Sequence, residues 1–312
     1  MAIARTALVV GPAKVTQNGG TFFTKGNIEP RLDMETLEIA TDMHGKVDER
    51  VIEVPVEVGF VPEGAWKAVN IAALWPYANP TFGSSVFGAA DKPMVLTGND
   101  GAIHTIHASA LTKMPSLLLS ATKTMIGEAR FRGVRKDNTE WTAADTLYSI
   151  TSGAYADTTF VPAQIKVQRY TAAIVALTGF TSFDTEDGWT IDFDTGLTYI
   201  TTDGGGAIDA KLTSVSVMAK CKPIGPTSTQ IVDALKYQGA GASRGRSIQG
   251  ANDLVITGED ATTIITINKP GMRQAGFRFG STVLRQGEIG FVATRTVAAG
   301  VPGALFSLAG GA

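Results

Sequence analysis

The sequence feature that most constrains the fold is an internal repeat. When the chain is shifted by 160 residues, Pro93–Arg135 aligns with Asp253–Arg295 without a gap. Within that block Gly127-Glu128-Ala129-Arg130-Phe131 lies on Gly287-Glu288-Ile289-Gly290-Phe291. A repeat of this length is a whole small domain, much longer than the unit of a solenoid. The sequence therefore predicts two copies of one domain.

The similarity continues upstream of this block. Val54 and Val56 align with Val215 and Val217 once one residue is inserted. The same order of strand, Pro-x-Gly break, helix and hairpin then follows in both halves. Chance similarity between two strand-rich segments does not explain this shared order, so we interpret the halves as copies of one fold.

The predicted domain boundary is the polar connector Ser152–Thr159, which divides the chain into residues 1–155 and 156–312. Each copy also contains a long irregular loop, Pro76–Lys92 in the first and Gln238–Asn252 in the second. Loops of this length are uncommon within compact domains and usually have a function.

The predicted fold class is mainly β, with sandwich- or barrel-type sheets and a flanking helix in each copy. Glycine is abundant, at 35 residues, which suits strands joined by tight turns. The clearest strand is Val51–Val61. Its alternate apolar residues from Ile52 to Phe60 are expected to face the core, with Glu53 and Glu57 on the solvent side.

The other predicted elements follow from local patterns. They are strands at Ala7–Val10, Leu37–Ala40, Ala163–Leu177, Trp189–Phe193, Leu197–Thr201 and Leu212–Lys220; helices at Ala65–Trp75, Asn138–Ile150 and Thr229–Tyr237; a hairpin of Met94–Thr97 and Ala102–Ala108 turning at Asn99-Asp100-Gly101; a hairpin of Leu117–Ser120 and Met125–Arg135; and a loosely packed tail at Ala298–Ala312.

Charge and cysteine content narrow the function classes. The chain has 27 basic and 29 acidic residues, a formal net charge of −2, which argues against broad electrostatic binding to duplex DNA or an anionic membrane. Cys221 is the only cysteine, so an intrachain disulfide is impossible. The N-terminus lacks the apolar run of a signal peptide, and the protein is expected to be soluble and made inside the cell.

No motif in the sequence predicts a catalytic, metal or cofactor site. His104 and His107 lie three residues apart on a predicted strand, so they should point to opposite faces and cannot share a metal. The glycine-rich segment Gly239–Gly245 follows a helix, whereas a dinucleotide-binding loop follows a strand. We therefore predict that the protein is not an enzyme and binds no cofactor.

The repeated block resembles phage tail tube proteins. The resemblance rests on the strand Arg50–Phe60, the Pro-Gly break and helix that follow it, the hairpin block from Met114 to Phe131, and the helix around Trp141. It covers most of both halves and is weakest in the loops and at the C-terminal end. These features are typical of a family, and none of them is a diagnostic motif.

This resemblance implies a β-sandwich flanked by a helix. Six such domains form a ring in that family, and stacked rings form the tube through which DNA passes. A duplicated domain then implies a homotrimer that forms a pseudo-hexameric ring. The implied partners are further copies of the chain, the tape measure, terminator and distal tail proteins, and genomic DNA that passes without specific binding; no membrane is involved. The implied location is the virion tail, after synthesis in the bacterial cytoplasm.

Two sets of residues are candidates for these roles, although the sequence leaves open which strand face looks inward. The candidate lumen-lining acids are Glu53, Glu57, Glu128 and Glu288. The candidate inter-subunit or inter-ring loop residues are Pro80, Phe82, Phe87, Gly241, Arg244 and Arg246.

Two other classes of protein remain open at this point. One is a different tail, baseplate or capsid-decorating protein, which would form a single ring or bind a capsid without polymerising. The other is a carbohydrate-binding double β-sandwich, which should expose aromatic side chains on one flat face. The four tryptophans, Trp66, Trp75, Trp141 and Trp189, instead fall at predicted packing positions.

Overall fold

A computed structural model describes residues 13–17, 20–63, 82–83, 85, 93–122, 125–133, 147–154, 168–175, 177–202, 206–235, 247–279, 286–295, 297–298, 301–302 and 304–309. Over these residues the chain is mainly β, as the sequence predicts. Its strands form an eight-stranded sheet, a six-stranded sheet, a four-stranded sheet and two two-stranded ribbons, and all pairings between the described strands are antiparallel.

The strands of the first half are β1 (Ala13–Gln17), β2 (Gly20–Leu32), β3 (Glu35–Thr41), β4 (Gly45–Glu53), β5 (Val56–Glu63), β6 (Met94–Gly98), β7 (Ala102–Ile106), β8 (Ser109–Lys113), β9 (Leu117–Leu119), β10 (Met125–Ile126), β11 (Ala129–Gly133) and β12 (Tyr148–Ser152). Those of the second half are β13 (Tyr170–Ile174), β14 (Asp184–Thr202), β15 (Gly206–Ile224), β16 (Leu254–Gly258), β17 (Ile264–Ile267), β18 (Gly271–Phe277), β19 (Gln286–Val292), β20 (Val297–Ala298), β21 (Val301–Pro302) and β22 (Phe306–Ala309).

The two halves share one pattern of strand pairing. In the first half the sheet order is β12-β7-β6-β1-β2-β5-β11-β8, and in the second half the orders are β22-β17-β16-β13 and β14-β15-β19-β18. An isolated bridge between Ala172 and Phe183 stands where β1 pairs with β2. Equivalent residue pairs in the two halves are Val15–Leu96 and Ala172–Ile256, Val15–Phe22 and Ala172–Phe183, and Val58–Phe131 and Ala219–Phe291.

The core is built from the inward faces of these sheets. Phe131 and Phe291, which are equivalent under the 160-residue shift, are 1% and 0% exposed. Phe60 stacks on Phe131 with ring centroids 5.8 Å apart, and Trp189 lies 6.4 Å from Phe291. Trp189 is fully buried, which confirms its predicted packing position.

The predicted hairpin after Met94 and the predicted helix after Thr227 are both present. Each has the turn or cap residue that its geometry requires. β6 and β7 form the expected hairpin, and Gly101 at its turn has a φ of 84°, which glycine tolerates best. The α-helix α1 (Ser228–Ala234) begins after the N-cap Thr227, whose side chain accepts a hydrogen bond from the Gln230 backbone N–H in a capping box. Ile231 on this helix is buried, as predicted.

The predicted single strand Val51–Val61 is wrong in its first part. β4 ends at Glu53 and β5 begins at Val56, and Ile52 is 57% exposed although it was expected in the core. β4 pairs with β3 in a hairpin separate from the large sheets, and Pro55 at the break has no N–H to donate. The alternation from Val56 to Phe60 is confirmed.

The end of the predicted helix Asn138–Ile150 is also wrong. Tyr148–Ser152 is β12, which pairs with the edge of β7. The β-branched residues Ile150 and Thr151 favour a strand where such an edge is open.

Residues 304–309 are packed against the second half, which corrects the predicted loose tail Ala298–Ala312 over this part. β22 pairs with β17 through Phe306 and Ile267. Leu305 and Phe306 are each 3% exposed, and the Phe306 ring lies edge-on to Phe193 at 5.2 Å. The small residues around this strand concealed it in the sequence.

The second half contains longer strands than predicted, and other predictions were not tested. Trp189–Phe193 and Leu197–Thr201 are joined within the 19 residues of β14. The predicted elements at Ala7–Val10 and Ala65–Trp75, and residues 138–146 of the predicted helix Asn138–Ile150, lie outside the described residues. Within the predicted strand Ala163–Leu177, Tyr170–Ile174 forms β13.

Candidate assembly surfaces

The two halves are joined by strand addition. β9 and β10 of the first half extend the six-stranded sheet of the second half, because β9 pairs with the outer edge of β14. The paired residues are Leu117 with Ile191, Leu118 with Thr190, and Leu119 with Trp189. The side chains of Leu117 and Leu119 are fully buried.

A bulge in β14 brings the backbones of β14 and β9 close together. Gly188 has a φ of 87°, and a Cβ atom there would lie 2.0 Å from the carbonyl oxygen of Leu119. β2 has a bulge at the matching place, where Gly26 has a φ of 86°. No atom among the described residues lies within 4 Å of a Cβ built on Gly26.

The part of the β14–β15 hairpin that lies toward its turn also contacts the first half of the chain. The Gly83 N–H donates to the carbonyl of Leu212 at 2.9 Å, and Ser85 Oγ donates to Asp209 Oδ1 at 2.7 Å. The Arg132 guanidinium lies 4.6 Å from the centre of the Tyr199 ring. Leu212 is only 3% exposed as a result.

The corresponding hairpin of the first half, β3–β4, is exposed. Val51, which aligns with Leu212, is 54% exposed. The hairpin and the residues that connect it to β2 carry seven exposed apolar side chains. These are Leu32, Met34, Leu37, Met43, Val47, Val51 and Ile52. An isolated two-stranded hairpin with apolar side chains in water is marginal by itself, so this surface is a candidate for burial by another molecule.

The solvent face of the first half carries paired charges of both signs. Glu57 lies directly between Arg31 and Arg132 in the strand register. Arg130 Nε donates to Glu128 Oε2 at 2.8 Å, and a Cβ on Gly59 would lie 2.6 Å from Glu128 Oε1. The acids of this face are thus interleaved with arginines.

The solvent face of the second half also carries paired charges of both signs. Lys220 Nζ donates to Asp192 Oδ2 at 2.8 Å, and this hydrogen bond raises the pKa of Lys220, as does the charge of Glu288 to a smaller extent. Because the folded-state pKa of Lys220 is raised, this contribution to stability is present at neutral pH and is lost as the pH rises through that pKa. Glu288 is exposed and accepts a hydrogen bond from Gln274 at 3.2 Å.

The predicted site residues are therefore placed as follows. Glu57 and Glu288 are exposed, Glu128 is half-buried, and Glu53 ends β4, where its side chain lies outside the described set. Phe82 is 51% exposed and lies 4.8 Å from the Arg295 guanidinium, so it joins the two halves of one chain. The other candidate loop residues lie outside the described residues; they are Pro80, Phe87, Gly241, Arg244 and Arg246.

Several surface residues escaped the sequence analysis. Phe279 is 95% exposed and Phe277 is 36% exposed. The internal repeat could have identified them, since Phe277-Arg278-Phe279 aligns with Leu117-Leu118-Leu119, the strand that joins the halves.

The side chains of His104 and His107 contact hydroxyl groups on strand β12. His104 Nδ1 contacts the Tyr148 hydroxyl, and His107 Nε2 lies 3.0 Å from Ser149 Oγ. Within the described residues no group of three or more histidine, cysteine or acidic side chains is arranged to hold a metal ion.

Cys221 provides a test of how firmly β15 is held. Burial raises the pKa of its thiol well above the ordinary value, and the charge of Glu288 adds to the rise. We expect it to react with a water-soluble disulfide reagent at neutral pH at least roughly 100-fold more slowly in the folded chain than in urea, since the thiolate is the nucleophile. A rate equal to that of an exposed thiol, introduced as Glu259→Cys in a Cys221→Ser background, would contradict this placement.

No protein-family model matches the sequence, and no curated protein matches it. In the part of the chain that is described, no helix has the length and apolar character required to cross a membrane.

Proposed function

We propose that this chain is the major tail tube subunit of a bacteriophage. In this proposal it is a duplicated tube domain and is not an enzyme. Three chains form a pseudo-hexameric ring, and the rings stack into the tube of the virion tail. The tube is a passive conduit for DNA during ejection.

The observation that carries the proposal is the strand addition between halves. β9 of the first half continues the sheet of the second half by backbone hydrogen bonds with β14. A sheet that continues from one domain into the next can form a wall around a central space when the domains are arranged in a ring.

The shared pairing pattern supports the duplication. Val58–Phe131 and Ala219–Phe291 are equivalent pairs in both register and sequence alignment. Two domains with the same strand order present equivalent strand edges, so an edge contact made once within the chain is available again between chains.

The charges of the solvent faces are compatible with a conduit. Glu128 and Asp192 are each paired with a cation on the same face, and the formal net charge of the whole chain is −2. A lining with balanced or slightly acidic charge does not hold a polyanion, in contrast to the basic surfaces of DNA-binding proteins.

Electron microscopy tests the proposal. The purified full chain is imaged in negative stain over a range of concentrations, and its mass is measured on dilution. We expect stacked rings or tubes that dissociate through a species of three chains. Single rings that never stack would favour another virion component, and a chain that stays monomeric at every concentration would refute the proposal.

A further inference from the structure

We propose that Phe277-Arg278-Phe279 of one chain pairs antiparallel with Ile28-Glu29-Pro30 of a second copy of this chain. The contact repeats between chains the junction that β9 and β14 make within the chain. This inference rests on the proposed function, because it specifies which strands close the ring.

The donor segment follows from the 160-residue shift. Leu117, Leu118 and Leu119 align with Phe277, Arg278 and Phe279. The hairpin pairing agrees with this alignment, because Leu117 pairs with Ile126 and Phe277 pairs with Gln286, which is the equivalent residue. The end of β18 is thus the counterpart of β9.

The acceptor segment follows from the register of the neighbouring strands. Val58 and Ala219 are equivalent, and they pair with Pro30 in β2 and Ile191 in β14. Because Ile191 pairs with Leu117, Pro30 is the position that faces Phe277. Counting along both antiparallel strands places Glu29 opposite Arg278 and Ile28 opposite Phe279.

Both segments are open in the single chain. β1 covers the outer edge of β2 only at residues 20–23, and no other described strand pairs with the edge that Ile28 and Glu29 present. Phe279 is 95% exposed, whereas its counterpart Leu119 is fully buried against the second half. Phe277 and Phe279, two residues apart beside an open strand edge, form an exposed apolar surface that a partner strand can cover.

Charge complementarity supports this register. Glu29 is exposed, and its carboxylate lies 3.8 Å from the Arg31 guanidinium. Arg278 is exposed and would stand directly opposite Glu29. Opposite charges at paired positions of an antiparallel ladder stabilise it, and like charges destabilise it.

The exposed β3–β4 hairpin points to the same partner. Within the chain the first half covers Leu212 at the far end of the β14–β15 hairpin. In the proposed contact the second half of one chain lies against the first half of the next chain, in the way that the two halves lie together within one chain. The second half would then cover Val51, which is the equivalent of Leu212. One head-to-tail contact therefore accounts for both an unpaired sheet edge and an exposed apolar hairpin.

The test is disulfide cross-linking of the full chain carrying Glu29→Cys and Arg278→Cys. Directly opposed residues in an antiparallel pair are close enough for a disulfide, so oxidation should give a covalent ladder that ends at the size of the closed ring. The control carries Glu29→Cys with Phe279→Cys, which is out of register by one residue. We expect about tenfold more cross-linked product from the matched pair than from this control. Cys221 is replaced by serine in both.

Charge reversal supplies an independent measurement. Arg278→Glu and Glu29→Arg should each raise the protein concentration at half-assembly by roughly 3- to 10-fold, and the double reversal should restore it. Assembled tubes with no preferential cross-link and no rescue would overturn the inference and leave the tube proposal standing. A wild-type chain that never associates would overturn both.

Discussion

Replacing Gly188 with alanine is expected to destabilise the single chain by about 3–5 kcal/mol, because two costs combine at this position. The φ of 87° is unfavourable for any L-residue with a Cβ. The added methyl group would also lie 2.0 Å from the carbonyl oxygen of Leu119. This is a backbone atom, so no side-chain rotation can relieve the clash. β9 must therefore move away from β14, which opens the junction between the halves. Urea unfolding of the chain at low concentration measures the effect.

Gly26→Ala is the matched control for this prediction. Its φ of 86° is nearly the same, and no described atom lies within 4 Å of the added Cβ. The expected cost is about 1–2 kcal/mol, from backbone conformation alone. Equal losses in the two variants would show that β9 does not lie against Gly188.

Leu119→Ala and Phe279→Ala are expected to have opposite phenotypes, although the two residues are equivalent in the repeat. Leu119 is fully buried, so its loss should cost about 2–5 kcal/mol of folding free energy. Phe279 is 95% exposed, so Phe279→Ala should leave the unfolding midpoint of the single chain unchanged. Burying a phenylalanine between chains is worth about 1.5–3 kcal/mol, so the variant should need at least tenfold more protein to assemble.

Sedimentation and urea unfolding of the same two variants distinguish these outcomes. Phe279→Lys, which also adds a charge beside Arg278, should assemble even less well than Phe279→Ala. If Phe279→Ala assembled like the wild type, Phe279 would not lie in an interface between chains.

The elements that the sequence predicted well are those specified by local chemistry. Gly101 supplies the positive φ that its hairpin turn requires, and Thr227 with Gln230 caps α1. The alternation from Val56 to Phe60 identifies a strand with one buried face. Each of these signals is complete within a few residues, so no knowledge of distant contacts was needed.

The elements that the sequence missed depend on distant partners. Ile52 has the same alternating pattern as Val56, and only the separate pairing of β4 with β3 shows that it is exposed. Phe306 is held by β17 and Phe193, far upstream in the chain. For the candidate site, the repeat predicted that the halves correspond, but only the β9–β14 contact shows which edges of the halves meet.

The junction between β9 and β14 also has a kinetic consequence. Both strands belong to one chain, so they meet at an effective concentration on the order of millimolar, whatever the amount of protein present. Half of the six junctions in the proposed ring are tethered in this way, and only the three between chains depend on subunit supply. Fusing two domains therefore lowers the order of the assembly reaction from six bodies to three, which makes ring formation less sensitive to a fall in subunit concentration.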